Sequence, residues 1–125
     1  MIHKALVRPE HSILYLEDVA GGDNTPQPPA KDDPAQAWAT RSCVLFHILP
    51  EPDGPTEVTM GLRHEIDPGT PPKFSGEIET PSRAVRVVEV DDTVVFEMPV
   101  AGATTKVSIW FSHPKWPDKV TIGLE

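Results

Sequence analysis

Cysteine is nearly missing from this chain. One residue, Cys43, in 125 leaves no internal disulfide, which excludes the small secreted scaffold held by bridges and points to a reducing compartment. Long apolar runs are missing too: nowhere do about 18 apolar residues follow one another, and the stretch from Met1 to Pro9 lacks the apolar segment of a signal peptide. The expectation is a soluble cytoplasmic protein with no membrane partner. Positive charge is scarce, with 11 Lys and Arg against 19 Asp and Glu and a formal charge of −8. A polyanion is repelled at long range by such a chain, so no nucleic-acid partner is expected, whereas a basic protein is attracted.

The signatures of nucleotide and hydrolase chemistry are absent as well. There is no Gly-x-x-x-x-Gly-Lys, no Gly-x-Gly-x-x-Gly and no Gly-x-Ser-x-Gly. Five histidines are present, His3, His11, His47, His64 and His113, but no two share metal-ligand spacing with each other, with a Cys pair or with an Asp. His47 and His64 make the best pair, on strands expected to be neighbours, yet His64 shares a face with Val58, Met60 and Leu62 and reads as a core residue. Cys43 sits inside the apolar run Ser42-Cys43-Val44-Leu45-Phe46, where a thiol is a small hydrophobe rather than a nucleophile. Glu77 and Glu79 read as one wet strand face, and Asp91-Asp92 and Asp32-Asp33 as turn acids. No metal, no cofactor and no enzymatic activity are expected.

Proline, by contrast, is abundant. It supplies 15 of the 125 residues, more than twice the usual share of about 5%. Each proline removes a backbone donor and interrupts helix. What remains is a rhythm of two. Val58, Met60, Leu62, His64 and Ile66 alternate with Thr59, Gly61, Arg63 and Glu65, Val107, Ile109 and Phe111 with Lys106, Ser108, Trp110 and Ser112, and Val120, Ile122 and Leu124 with Lys119, Thr121, Gly123 and Glu125, each a strand with one wet face. Further strands are expected at Ile2 to Val7, Ser12 to Val19, Thr40 to Leu49, Lys73 to Glu79, Ala84 to Val90 and Thr93 to Met98. The Thr40 to Leu49 segment is apolar on both faces and belongs in the core. A hairpin is the simplest link from it to Thr56–Ile66, and Asp91-Asp92 suits another. About nine strands with turn signals every 8 to 12 residues predict an all-β, single-domain, two-layer antiparallel sandwich over residues 1–125. A long surface loop is expected at about 20–37. One helical turn fits Pro34 to Ala39, with Asp33 as its cap.

Three segment groups in the C-terminal half carry a family likeness. Phe74-Ser-Gly-Glu-Ile-Glu-Thr-Pro-Ser, Val94-Val-Phe-Glu-Met-Pro-Val, and Lys106-Val-Ser-Ile-Trp-Phe with Pro117-Asp-Lys-Val-Thr-Ile resemble a group of small bacterial β-sandwich proteins that includes the competence nuclease inhibitor. The shared element is a strand ending in Leu-Pro or Met-Pro, a short glycine turn and an alternating outgoing strand. It spans about half the chain, and Ala103-Thr104 departs from the group's Gly-Asp/Arg-Tyr. The resemblance implies a bacterial, non-enzymatic inhibitor or immunity-type protein whose acidic surface neutralises a basic enzyme such as a nuclease.

Two other readings remain open. Trp38, Trp110 and Trp116 are the candidate binding residues, since Trp110 falls on the wet side of its strand and Trp116 in the adjoining proline-rich loop, where aromatics anchor sugars or proteins. They fit a carbohydrate or small-ligand module. An oligomeric subunit pairing through an edge strand is the other alternative, and the oligomeric state is left open.

Overall fold

The computed structural model describes residues 2–9, 11–21, 26 and 34–125. Two five-stranded sheets pack face to face. One has the order β1 (Ile2–Val7), β5 (Thr56–Leu62), β10 (Lys119–Leu124), β9 (Thr104–Phe111), β6 (Phe74–Glu79). The other runs β3 (Ala37–Ala39), β4 (Cys43–His47), β2 (Ile13–Asp18), β7 (Ala84–Val88), β8 (Val94–Pro99). The all-β sandwich expected from the alternation is thus present, with ten strands among the described residues. Among the described residues no helix is long and apolar enough to cross a membrane.

The core forms where the alternation says it must. Val58, Met60, Val107, Ile109, Val120, Ile122 and Leu124 from the first sheet meet Leu14, Leu16, Val44, Phe46, Val85 and Val87 from the second, all 1% exposed or less. The even-numbered and odd-numbered sets point to opposite faces because successive strand side chains do. Cys43 and Leu45 occupy the other face of β4 and are also fully buried, so that strand is enclosed on both sides, as its composition predicted.

Three expectations are corrected. β4 and β5 lie in different sheets, so their link is a passage between layers, not a hairpin. Residues 37–39 form β3 instead of ending a helical turn: Ala37, Trp38 and Ala39 pair with Phe46, Leu45 and Val44, and the His47 N–H donates to the Gln36 carbonyl at 2.9 Å. Pairing with the open edge of β4 satisfies more backbone groups than one isolated turn can. The expected surface loop at 20–37 falls mostly outside the described residues.

The third correction concerns the end of β5. The strand stops at Leu62, and Arg63–Ile66 form a helical turn (α1) closed by the Asp67 N–H on the Arg63 carbonyl at 2.9 Å. The topology requires it. β5 and β10 run parallel, β6 shares their direction, and β10 and β9 separate β5 from β6. Parallel strands cannot be joined by a tight turn, so the chain leaves the sheet and crosses over the outer face. His64 therefore sits exposed on the turn, not in the core.

The expected β7–β8 hairpin is present, but β7 ends at Val88 and β8 begins at Val94, so its connection is longer than the two residues Asp91-Asp92. Glu89 and Thr93 close it, the Asp92 N–H donates to the Glu89 carbonyl at 2.9 Å, and Asp92 adopts φ 68°, a left-handed position that aspartate tolerates better than most residues.

Asp18 fastens the opposite end of the sandwich. Its two carboxylate oxygens accept the N–H groups of Ala20 and Ser82, each at 2.9 Å. Burial alone pushes this carboxyl up, but hydrogen bonds from Ser82 and Ala20 and the Arg86 charge outweigh it and hold the group below the ordinary carboxylate range. Its contribution to stability is therefore complete above about pH 4 and drains away as pH falls through the lowered value. Asp18→Asn is expected to flatten the acid limb of a stability–pH curve measured by urea unfolding; an unchanged limb would contradict this role.

Candidate functional site

The registers bring four connections to one end of the sandwich. Val7 lies opposite Thr56, Phe111 opposite Val120, Ile13 opposite His47 and Tyr15 opposite Val88. Residues 8–9, 11–12, 48–55, 89–93 and 112–118 consequently gather there. Side chains tie them together. The Arg8 Nε donates to the Glu51 carbonyl at 2.8 Å. The buried Thr56 hydroxyl accepts the Leu49 N–H at 3.0 Å and donates to the Pro117 carbonyl at 3.4 Å, and the Gln36 amide reaches the His113 carbonyl at 2.6 Å.

This end is acidic. Glu51, Asp53, Glu89, Asp91 and Asp92 lie here, and none of them takes part in an ion pair among the described residues. Hydrogen bonds from Thr93, first of all, hold the Asp91 carboxyl below its usual range, and the His11 charge adds to them. A shallow cavity of about 320 Å³ is lined by Arg8, His11, Glu51, Glu89, Val90 and Asp91. Beside the acids, Val90 is 42% and Val94 44% exposed. Three acids at the other end are ion-paired instead: Glu79 with Arg41 at 3.5 Å, and Asp67 and Glu125 with Arg63 at 3.2 and 3.8 Å. Among the described residues, five acids without an ion pair thus gather at one pole.

Burial, with the Glu17 charge adding, pushes the Cys43 thiol up to about 12, so no thiolate forms near neutral pH. Among the described residues no group of three or more His, Cys, Asp or Glu is placed to hold a metal. His47 packs edge-on against Trp38, ring centroids 4.9 Å apart, on the outer face of its sheet, far in topology from His64.

Two solved structures share this architecture. One is the crystal structure of ComJ, inhibitor of the DNA degrading activity of NucA, from Bacillus subtilis. It superposes with a TM-score of 0.68 over 99% of this chain and 97% of that one, at 10% identity. The chain shares its fold with ComJ. The other, crocagin biosynthetic gene J, gives a TM-score of 0.53 at 13% identity, covering 98% and 96% of the two chains. No family model matches the sequence, and no curated protein matches it significantly. At such identities the likeness establishes the fold alone.

The three tryptophans do not form one surface. Trp38 is half-buried on the outer face of the second sheet. Trp116 is 42% exposed at the acidic end, presented by a loop in which His113 Nδ1 accepts the N–H groups of Lys115 and Trp116, both at 3.1 Å. The Lys115 ammonium lies over its ring at 5.7 Å. Trp110 is on the outer face of the first sheet, as its register predicts, but only 8% exposed. The crossing segment covers it: its indole N–H donates to the Thr70 carbonyl at 2.7 Å and the Arg63 guanidinium stands 5.7 Å from its ring. Gly123 makes this possible, since a Cβ there would lie 3.1 Å from the indole and 3.3 Å from the Arg63 backbone.

The acidic pole was only half visible in the sequence. Asp91-Asp92 reads as a turn, and so does Pro50 to Pro55, but nothing local says that the two turns adjoin.

Proposed function

We propose that this protein is a non-enzymatic inhibitor or immunity-type protein of a bacterial cytoplasm, and that its acidic pole binds a basic enzyme such as a nuclease. The observation that carries this reading is the gathering of five acids without an ion pair, Glu51, Asp53, Glu89, Asp91 and Asp92, at one end of the sandwich, while Glu17, Glu57, Asp67, Glu79 and Glu125 are each ion-paired elsewhere. The shared fold with an inhibitor of a DNA-degrading protein supports it. A protein that grips a polyanion exposes clustered Lys and Arg, and a rigid array of carboxylates competes for the same charges. Val90 and Val94 add apolar contact at the centre, and Trp116 is the anchor best placed at the rim.

The test is a salt series. The wild-type chain is used to capture a basic partner from the source cell, and association is then timed at rising ionic strength. The triple variant Glu89→Lys, Asp91→Lys, Asp92→Lys is expected to associate at least about tenfold more slowly and to lose most of the salt dependence. Asp91 and Asp92 are exposed and Glu89 is half-buried, and lysine fits the left-handed φ of Asp92 less well than aspartate, so a modest fall in the urea midpoint with the cooperative transition retained is expected. Association that ignores salt, or a reversed variant that binds as fast, overturns the reading.

A further inference from the structure

The segment that crosses from β5 to β6 leaves a groove beside Trp110, between itself and the outer face of β9 and β10. Its volume is about 550 Å³, inside the range of roughly 300 to 1,000 Å³ common for sites that hold small organic molecules. Pro68, Pro71, Pro72, Trp110 and Phe111 line it with apolar surface, and Lys73 and Lys119 line it with charge. Neither lysine is ion-paired among the described residues. What sets the groove apart on a chain of net charge −8 is that it brings two such lysines together at one apolar surface, while Lys4 meets Glu57 and Lys115 lies over Trp116. Hydroxyls from Thr70, Ser112 and Thr121 complete the lining.

The groove is also stiff. The Thr70 carbonyl is held by the Trp110 indole at 2.7 Å, and the Lys73 N–H donates to the Ile109 carbonyl at 2.9 Å. Prolines between those two anchors restrict the backbone. A wall already ordered before binding lowers the entropy lost on association.

We propose that this groove is a binding site for a small organic anion with a flat apolar body. The body lies against the prolines and the aromatic edges, and the acid group is held by Lys73 and Lys119. The site shares no lining residue with the cavity at the acidic pole, so the proposal stands or falls separately from the inhibitor reading.

The probe is 1-anilinonaphthalene-8-sulfonate, compared with its uncharged counterpart N-phenyl-1-naphthylamine. Dye emission and quenching of tryptophan emission are followed together at neutral pH. The sulfonate is expected to bind saturably at one site, and the neutral dye about tenfold more weakly, the worth of two exposed charge contacts. The double variant Lys73→Ala, Lys119→Ala is expected to lose about that factor for the sulfonate and nothing for the neutral dye. Thr121→Trp, which fills the groove from the sheet, is expected to remove both, with urea unfolding confirming that each variant is folded. No saturable binding to the wild-type chain, equal affinity for the two dyes, or a double lysine variant that binds the sulfonate unchanged overturns the proposal.

Discussion

Trp110→Ala is expected to destabilise the protein by about 3–5 kcal/mol, the range for removing a large aromatic side chain from a closed environment. The indole is 8% exposed although it lies on the outer face of its sheet. It anchors the crossing segment by a hydrogen bond to the Thr70 carbonyl and by its contact with Arg63. Alanine removes both and opens a void over Gly123, whose lack of a side chain exists to admit the ring. The loss is expected to have a local signature, with limited proteolysis cutting first between residues 63 and 73. Trp110→Phe keeps most of the volume but not the N–H, and about 1–2 kcal/mol is expected. A shift in urea-unfolding free energy below about 1 kcal/mol for Trp110→Ala would show that the crossing segment is held by something else.

Arg86→Met is expected to cost about 3 kcal/mol, near the lower end of the range for removing one partner of a buried ion pair. Arg86 Nη2 and Nε both donate to Glu17 Oε2, at 2.8 and 3.1 Å. The side chains keep only 21% and 11% of their exposure, so a lone Glu17 carboxylate is left with little water. The lower end applies because the site is not wholly dry. Apolar residues in both places are tolerated far better than one charge alone, so Glu17→Met combined with Arg86→Met is expected to recover most of the loss. A double variant as unstable as Arg86→Met would mean that the arginine acts by packing, not by neutralising Glu17. The same crowding raises neighbouring groups: burial, then Cys43 and Glu17, push the Tyr15 hydroxyl up.

Much of the fold could be read in the side-chain rhythm. Val107, Ile109, Val120 and Ile122 share the apolar side of their alternation and face the core, and the doubly apolar segment around Val44 and Leu45 is buried on both faces. The β7–β8 hairpin follows from turn chemistry. The misread elements share one cause, which is that periodicity reports a face and not a neighbour. His64 continues the alternation of β5, yet the chain turns away at Arg63 because two strands, β10 and β9, stand between β5 and β6. Pro34 to Ala39 carries a good helix start, yet the open edge of β4 recruits its last residues. Trp110 occupies the wet side of its strand, yet the same crossing that displaces His64 roofs it over.

What the residues alone determined is local and chemical: strands instead of helices, from proline and the period of two; a strongly acidic chain; and one cysteine too deep among apolar neighbours to react. The tertiary structure decided which strands adjoin, and so which turns share an end and which outward side chains are covered. That division is physical. Alternation arises from the geometry of one strand, whereas an acidic pole, a roofed tryptophan and a lysine-lined groove each arise from segments tens of residues apart, brought together only when two sheets choose their order.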